Sequence, residues 1–457
     1  MGRQDWRDPM ENFALDDILA RLRAALERDD LNAAVAIIES LQPADQADLV
    51  EELDDEDQVA LLSELPPADS ADVLEEMEDE DAAALAERLP VSDLADILDE
   101  MEADEAADVL GDLSPERAAE ALRAMEDSAD VLPLLQYADD TAGGLMTPAI
   151  VTVRQDWTAA QALEELRRTG PDAEHAYYLF VVDEQGTLLG VVGLRELVVA
   201  PPDTPVAEIM DPDVVAVPVT ADQEDCARIF ARYGFLALPV VDEQGHLVGV
   251  ITADDLFDVA EDEATEDMYR MVGISGEEKV FGPLRDSVLR RLPWLAVNML
   301  TLLIAITVVN AFEYVIAGMV ALATFLPLVS GEGGNAGSQT ATVIVRGLAL
   351  GEIDLHNGLR ALGKELAASL INGLIIGLGT GLVVFIWRGE TVIALAILIA
   401  MVLNFAAAAL AGVIVPLGLK AMKVDPALAS AAFVTAVTDT LGFLFFLGTA
   451  TLLMRWF

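Results

Sequence analysis

The C-terminal third contains four stretches with no charged residue, Leu292–Phe312, Tyr314–Ser330, Leu366–Trp387 and Thr391–Leu419. A fifth, Pro426–Met454, is apolar apart from Asp439. Each is long enough to span a hydrocarbon layer about 30 Å thick as a helix, so the sequence predicts a five-helix α transmembrane domain over residues 292–457. The charge lies elsewhere. Of 79 Asp and Glu residues only 8 follow residue 292, so the net charge of −53 belongs almost wholly to the first part. Such a field repels nucleic acid and favours cations or basic partners; a general salt adaptation would produce the same excess. Cys226 is the single cysteine, which excludes an internal disulfide or thiolate cluster. The N-terminus has no apolar stretch of the signal-peptide kind, so insertion is expected to use an internal segment.

Five crossings place the termini on opposite sides. Arg285, Arg290 and Arg291 precede the first span, Arg346, Arg360 and Lys364 follow the second, and Lys420 and Lys423 follow the fourth. The positive-inside rule therefore predicts a cytoplasmic N-terminal half, an outside C-terminus and a multi-pass protein of the plasma (inner) membrane in contact with lipid. An aspartate within a span is costly unless it meets water, protein or an ion. Asp439, flanked by Thr435, Thr438 and Thr440, is thus a candidate ion ligand, or else a carboxylate paired with polar groups of neighbouring spans. Gly331–Ile353, GEGGNAGSQTATVIVRGLALGEI, follows the second span. It reads as irregular backbone lining an aqueous cavity, or as a loop outside the bilayer.

Residues 41–125 repeat with a period of 12, anchored at Leu41, Leu53, Leu65, Met77, Leu89, Met101, Leu113 and Met125. A Pro or acidic residue after each anchor predicts a short helix with a capped start, paired in units of 24 into an α-helical solenoid. Scaffolding and ion-linked sensing are both open to such a stack. A second repeat starts at LMTPAIVTV (Leu145–Val153) and returns as IMDPDVVAV (Ile209–Val217), each copy leading to a hairpin with an Asp-Glu-Gln-Gly turn. The pair resembles tandem α/β CBS domains. Such pairs commonly bind adenine nucleotides such as ATP, and the ribose-contacting pattern of that family is matched by Gly249, Thr252 and Asp255; the first copy has Gly193 and Glu196 without the hydroxyl and aspartate. The following segment holds Asp254, Asp255, Asp258, Glu261, Asp262, Glu263, Glu266 and Asp267. On a helix these carboxylates crowd and repel unless a cation neutralises them, which suits a divalent-ion switch; a solvated acidic linker is the alternative.

The whole order, with GGNAGSQTATVIVRGLALGEI, ATEDMYR at Ala264–Arg270 and VDPALASAAFVTAVTDTLG at Val424–Gly442, resembles the MgtE family of magnesium channels. The resemblance implies an N domain over 1–135, CBS domains over 136–200 and 201–264, and a connecting plug helix over 265–291, about Met268–Arg291, ahead of the pore domain. It implies a homodimer with Asp439 of both chains holding Mg²⁺ on the twofold axis and Asn335, Gln339, Thr435 and Ala431 lining the pore. Regulatory Mg²⁺ is expected at Asp255, Asp258, Glu263, Glu266, Asp267 and Glu224, with Asp425 before the last span and Asp72, Asp104 and Asp108 in the repeats. Mg²⁺ dehydrates reluctantly, so two carboxylates and neutral oxygens suffice to hold it hydrated. His175, His246 and His356 are scattered, which disfavours an imidazole metal site. No acid–base pair, Ser-His or Cys-His set, or phosphate-cradling loop marks an enzyme. An ion-coupled transporter of Mg²⁺, Co²⁺ or Mn²⁺ and a nucleotide-regulated membrane sensor are the remaining readings.

Overall fold

The computed structural model describes residues 12–170, 177–274, 278, 280, 282–428 and 431–456. The chain divides into two compact units, Met1–Val259 and Ala260–Phe457. The first opens with α1 (Asn12–Leu26), α2 (Leu31–Ile38), α3 (Pro43–Glu51), α4 (Asp55–Leu62), α5 (Pro67–Glu75), α6 (Asp79–Ala86), α7 (Val91–Leu98), α8 (Ala103–Asp112) and α9 (Pro115–Ala124). From α3 onward the starts fall every 12 residues. Each helix packs on the next but one, because a helix of this length buries its apolar stripe only between neighbours on the same side of the stack. Leu41 is half-buried, and the anchors from Leu53 to Met125 are all buried.

The expected caps differ from those found. None of α3 to α9 is capped by its own N-cap side chain. At two of the seven, carboxylates from earlier repeats meet the helix start instead: Glu75 accepts from the Glu102 N–H at 2.8 Å ahead of α8 and Glu87 from the Ser114 N–H at 3.3 Å ahead of α9, while Asp99 accepts from the Glu126 N–H at 2.8 Å in the turn after α9. An anion at a helix start satisfies orphan N–H groups and the helix dipole together. Part of the acidic excess is therefore structural.

After a 3₁₀ turn at Leu134–Gln136 come two modules of one design. The first comprises β1 (Thr152–Arg154), α10 (Ala159–Thr169), β2 (Tyr178–Val182), β3 (Leu188–Gly193) and α11 (Leu194–Val199). The second has α12 (Val206–Ile209), β4 (Val217–Pro218), α13 (Gln223–Tyr233), β5 (Ala237–Val241), β6 (Leu247–Thr252) and α14 (Ala253–Val272). In each sheet the first strand pairs parallel with the second, which pairs antiparallel with the third. Both Asp-Glu-Gln-Gly turns form as expected. Asp183 accepts the Gln185 and Thr187 N–H groups, Asp242 those of Gln244 and His246, and Gly186 and Gly245 each take φ 85°, where a side chain is strained. The two hairpins pair with each other, Leu188 N–H to Gly245 O and Leu247 N–H to Gly186 O.

The second unit holds α15 (Leu284–Ala311), the short α16 (Glu313–Gly318), α17 (Ala321–Ala349), α18 (Gly358–Arg388), α19 (Thr391–Ala421), a 3₁₀ turn at Pro426–Leu428 and α20 (Ala431–Leu453). Among the described residues α15, α18, α19 and the segment Pro426–Leu453 are long and apolar enough to cross a membrane. Two expectations are corrected here. The second span does not occupy Tyr314–Ser330: α16 ends at Gly318, and the long helix α17 runs unbroken through GEGGNAGSQTATVIVRG. The glycines are not loop or irregular backbone. A Cβ on Gly333 would lie 2.0 Å from Asn404 Nδ2, and one on Gly337 2.4 Å from Val434 Cγ1. Close packing against α19 and α20 thus outweighs the roughly 1 kcal/mol that each glycine costs a helix. Gly373, Gly377 and Gly381 similarly let α18 touch the backbone of α19. The second correction concerns the plug. Among the described residues no single helix covers Met268–Arg291: α14 continues from the second CBS module to Val272, Gly273 turns in the left-handed region at φ 79°, and residues from Leu284 belong to α15.

Candidate ion sites

Asp439 lies in the middle of α20, only 5 % exposed. The Ser330 hydroxyl of α17 donates to its Oδ1. Among the described residues no Lys, Arg or His forms an ion pair with it. Thr438 is buried and donates to the Thr435 carbonyl at 3.0 Å. Thr435 is half-buried beside Gly334. Asn335 and Gln339 stand one turn apart on the exposed stripe of α17. The Ala431 side chain lies outside the described residues, as does His175.

Two polar residues here were missed by sequence reading. Ser330 was placed at the end of a span, and Asn404 was not singled out. Asn404 is fully buried, donates from Nδ2 to the Val329 carbonyl at 2.9 Å and leaves Oδ1 without a hydrogen bond. The signal was present: it is the lone polar side chain between Thr391 and Lys420 of α19.

In the first unit the repeats and the second CBS module bring carboxylates together. Asp104 is buried, with Oδ1 unpartnered, and burial foremost, then Asp255, holds it well above the usual carboxylate range. Glu105 is pushed up to about 9, chiefly by burial and then by Asp104, Asp108 and Asp255. Asp108 rises to about 8 through burial, Asp79 and Asp139. Asp255 rises to about 6 through burial, although the Thr252 hydroxyl opposes the shift by donating to its Oδ2 at 2.5 Å. Burial and then exposed Asp258 raise Glu76, while Asp79 is raised by burial, Asp112, Asp139 and Glu78 ahead of Asp258. Asp72 is exposed and raised by burial and Asp69. Glu224 sits half-buried in the first turn of α13. The structure brings Asp104, Asp108 and Asp255 near one another, together with Glu105, Glu76 and Asp79, whose proximity depends on how helices 24 residues apart stack. Among the described residues no group of three His, Cys, Asp or Glu side chains forms a ready-made metal cage. The cluster is a site of mutual carboxylate repulsion.

In the second unit Arg270 bridges Glu266 and Asp425, the latter at 2.5 Å. Asp267 is pushed up to about 6 by burial, Asp425 and Glu263. Of the nucleotide pattern, Thr252 lines a cleft with Ile150, Tyr178 and Ala237, and Asp255 is bonded to it. Gly249 is buried against Met146, so it lends the strand thinness rather than a contact surface. The cleft as it stands is about 10 Å³, far below what a nucleotide fills.

These parts define a multi-pass membrane protein whose first unit carries a helical-repeat stack and a CBS pair. Residues 326–449 match the family described as divalent cation transporter, 41–140 the MgtE intracellular N domain, and 142–203 and 206–262 the CBS domain. The magnesium transporter MgtE of Thermus thermophilus is 43% identical over 72% of this chain and 73% of its own length. That of Enterococcus faecalis is 35% identical over 73% of each. The crystal structure of the cytosolic domain of the Mg²⁺ channel MgtE in complex with ATP superposes with TM-score 0.50 at 43% identity, covering 53% of this chain and 99% of that one. The chain belongs to the MgtE family. It is a transporter and not an enzyme.

Proposed function

We propose that this chain is a Mg²⁺-selective channel mediating magnesium uptake, closed by cytoplasmic Mg²⁺. The observation that carries the reading is Asp439, a carboxylate in the middle of an apolar helix bundle whose partner is a hydroxyl rather than a base. A group so placed is retained for an ion to use. In this reading α15, α17, α18, α19 and α20 each cross the inner membrane, with the N-terminus cytoplasmic and the C-terminus outside. Two chains form the pore as a homodimer, with Asp439 of each facing hydrated Mg²⁺, and Asn335, Gln339, Thr435 and Ala431 line the path. The exposed stripe bearing Asn335 and Gln339 supports a wet or partnered surface there.

The helical repeats of 1–135 form a solenoid that works with the CBS domains, 136–200 and 201–264, as the Mg²⁺ sensor. Asp72, Asp104, Asp108, Glu224, Asp255 and Asp258 take one group of ions, and Glu263, Glu266, Asp267 and Asp425 another. The connecting element is α14 with its turn at Gly273. At high Mg²⁺ the bridged carboxylates hold the closed state; when Mg²⁺ falls, their repulsion loosens it. The raised carboxylates around Glu105 support this. Thr252 and Asp255 would hold an adenine nucleotide once the cleft opens, a reading supported by the ATP complex of the related cytosolic domain.

Patch-clamp recording with internal Mg²⁺ varied tests both halves. Open probability should fall as internal Mg²⁺ rises, and Asp439→Ala should abolish Mg²⁺ current in a folded protein. Currents indifferent to internal Mg²⁺ would remove the gating proposal and leave conduction intact. Uptake lost on dissipating one coupling-ion gradient would favour an ion-coupled transporter.

A further inference from the structure

The Asp439 carboxylate presents its two oxygens unequally. Oδ1 receives the Ser330 hydroxyl, whereas among the described residues Oδ2 accepts no hydrogen bond. A hydroxyl on a carboxylate makes a charge-assisted bond that takes up one of that oxygen's two lone pairs and competes with an incoming cation for it. Ser330 is itself held in register. The carbonyl of the preceding residue, Val329, accepts from Asn404 Nδ2 at 2.9 Å. Asn404 is fully buried. Its amide fits because Gly333 and Gly442 lack side chains: Cβ atoms there would stand 2.0 and 2.7 Å from Nδ2.

We propose that Ser330 is a specificity-determining residue for the transported ion, with Asn404 its positioning residue. By taking up a lone pair of Oδ1, Ser330 biases Asp439 towards contact through its other oxygen. A hydrated Mg²⁺ loses nothing by this, since it meets the pore through its waters. Ca²⁺ sheds water more readily and can take a carboxylate with both oxygens, a mode the Ser330 hydroxyl weakens. The inference rests on the reading of Asp439 as the pore ligand.

The test is the Ca²⁺-to-Mg²⁺ permeability ratio of the full-length channel, from reversal potentials with Ca²⁺ on one side and Mg²⁺ on the other. A ratio does not depend on expression or on the number of open channels. Ser330→Ala should raise it about tenfold, the equivalent of one hydrogen bond to a charged group. Ser330→Thr, which keeps the hydroxyl, should restore it, and Asn404→Ala should raise it by less. If the alanine variant does not assemble, Ser330→Cys, close in size and a much weaker donor, carries the same comparison. A ratio unchanged in Ser330→Ala or Ser330→Cys, or a threonine variant shifted as far as alanine, overturns the proposal. Should Asp439→Ala conduct with unaltered selectivity, the pore-ligand reading itself fails; should it abolish current while Ser330→Ala leaves the ratio untouched, only this inference falls.

Discussion

Replacing Glu105 with glutamine should stabilise the cytosolic half in the absence of divalent metal, although a charged residue is being removed. Its carboxyl is pushed from 4.5 up to about 9, by burial first and then by Asp104, Asp108, Asp255 and Glu75. Because the folded value lies above the unfolded one, the group costs stability fully above pH 9, and the cost is lost as pH falls towards 4.5. At pH 8 keeping the proton costs about 5 kcal/mol, at 1.36 kcal/mol for each of roughly 3.5 pH units. Solvent at the half-buried side chain and relief shared with Asp104 and Asp108 reduce the expected gain to about 2 kcal/mol. In a unit of this size that raises the melting temperature by about 4–8 °C. Differential scanning calorimetry of the full chain in detergent, with chelator at pH 8 and pH 5, reads it. The gain should shrink to below about 1 kcal/mol at pH 5, and added Mg²⁺ should stabilise the variant less than the parent, since glutamine is a poorer ligand. A glutamine variant that is destabilised at pH 8 without metal, or stabilised equally at both pH values, would refute the account of the cluster as unrelieved carboxylate repulsion.

Gly333→Val should destabilise the membrane unit by at least about 2 kcal/mol through overpacking against Asn404, whereas Gly331→Ala, where nothing lies within 4 Å, should stabilise it by up to about 1 kcal/mol; thermal unfolding in detergent separates them. Arg270→Gln removes the cation that bridges Glu266 and Asp425. The 423–428 turn should then be cut faster by protease without Mg²⁺ and regain protection when Mg²⁺ takes the place of the guanidinium. Thr252→Val deletes the hydroxyl bonded to Asp255, and calorimetry should show ATP affinity reduced about tenfold if the CBS cleft is the nucleotide site.

Much of the fold was legible because local periodicity carried it. The 12-residue repeat set every helix start from Pro43 to Pro115, and the two Asp-Glu-Gln-Gly turns formed as hairpins because aspartate and a positive-φ glycine dictate that geometry locally. Asp439 was legible for a related reason, since a charge in an apolar run is conspicuous without any knowledge of neighbours. The glycine-rich segment was misread because glycine carries two opposite messages. In isolation it loosens backbone, and only the presence of Asn404 and Val434 against α17 shows that it serves close helix contact.

What the amino-acid order determined by itself was the division into an acidic half and an apolar third, the helical repeat, the paired modules and the intramembrane aspartate. All of these depend on residues within a few turns of one another. Only tertiary structure decided that Glu75 and Glu87 meet helix starts 27 residues away, that Glu105 joins Asp108 and Asp255 in one repelling cluster, and that Ser330 meets Asp439 across 109 positions. Carboxylate energies and hydrogen bonds fall off within a few ångströms, so the partners that set them are chosen by packing between distant segments, which sequence spacing does not encode.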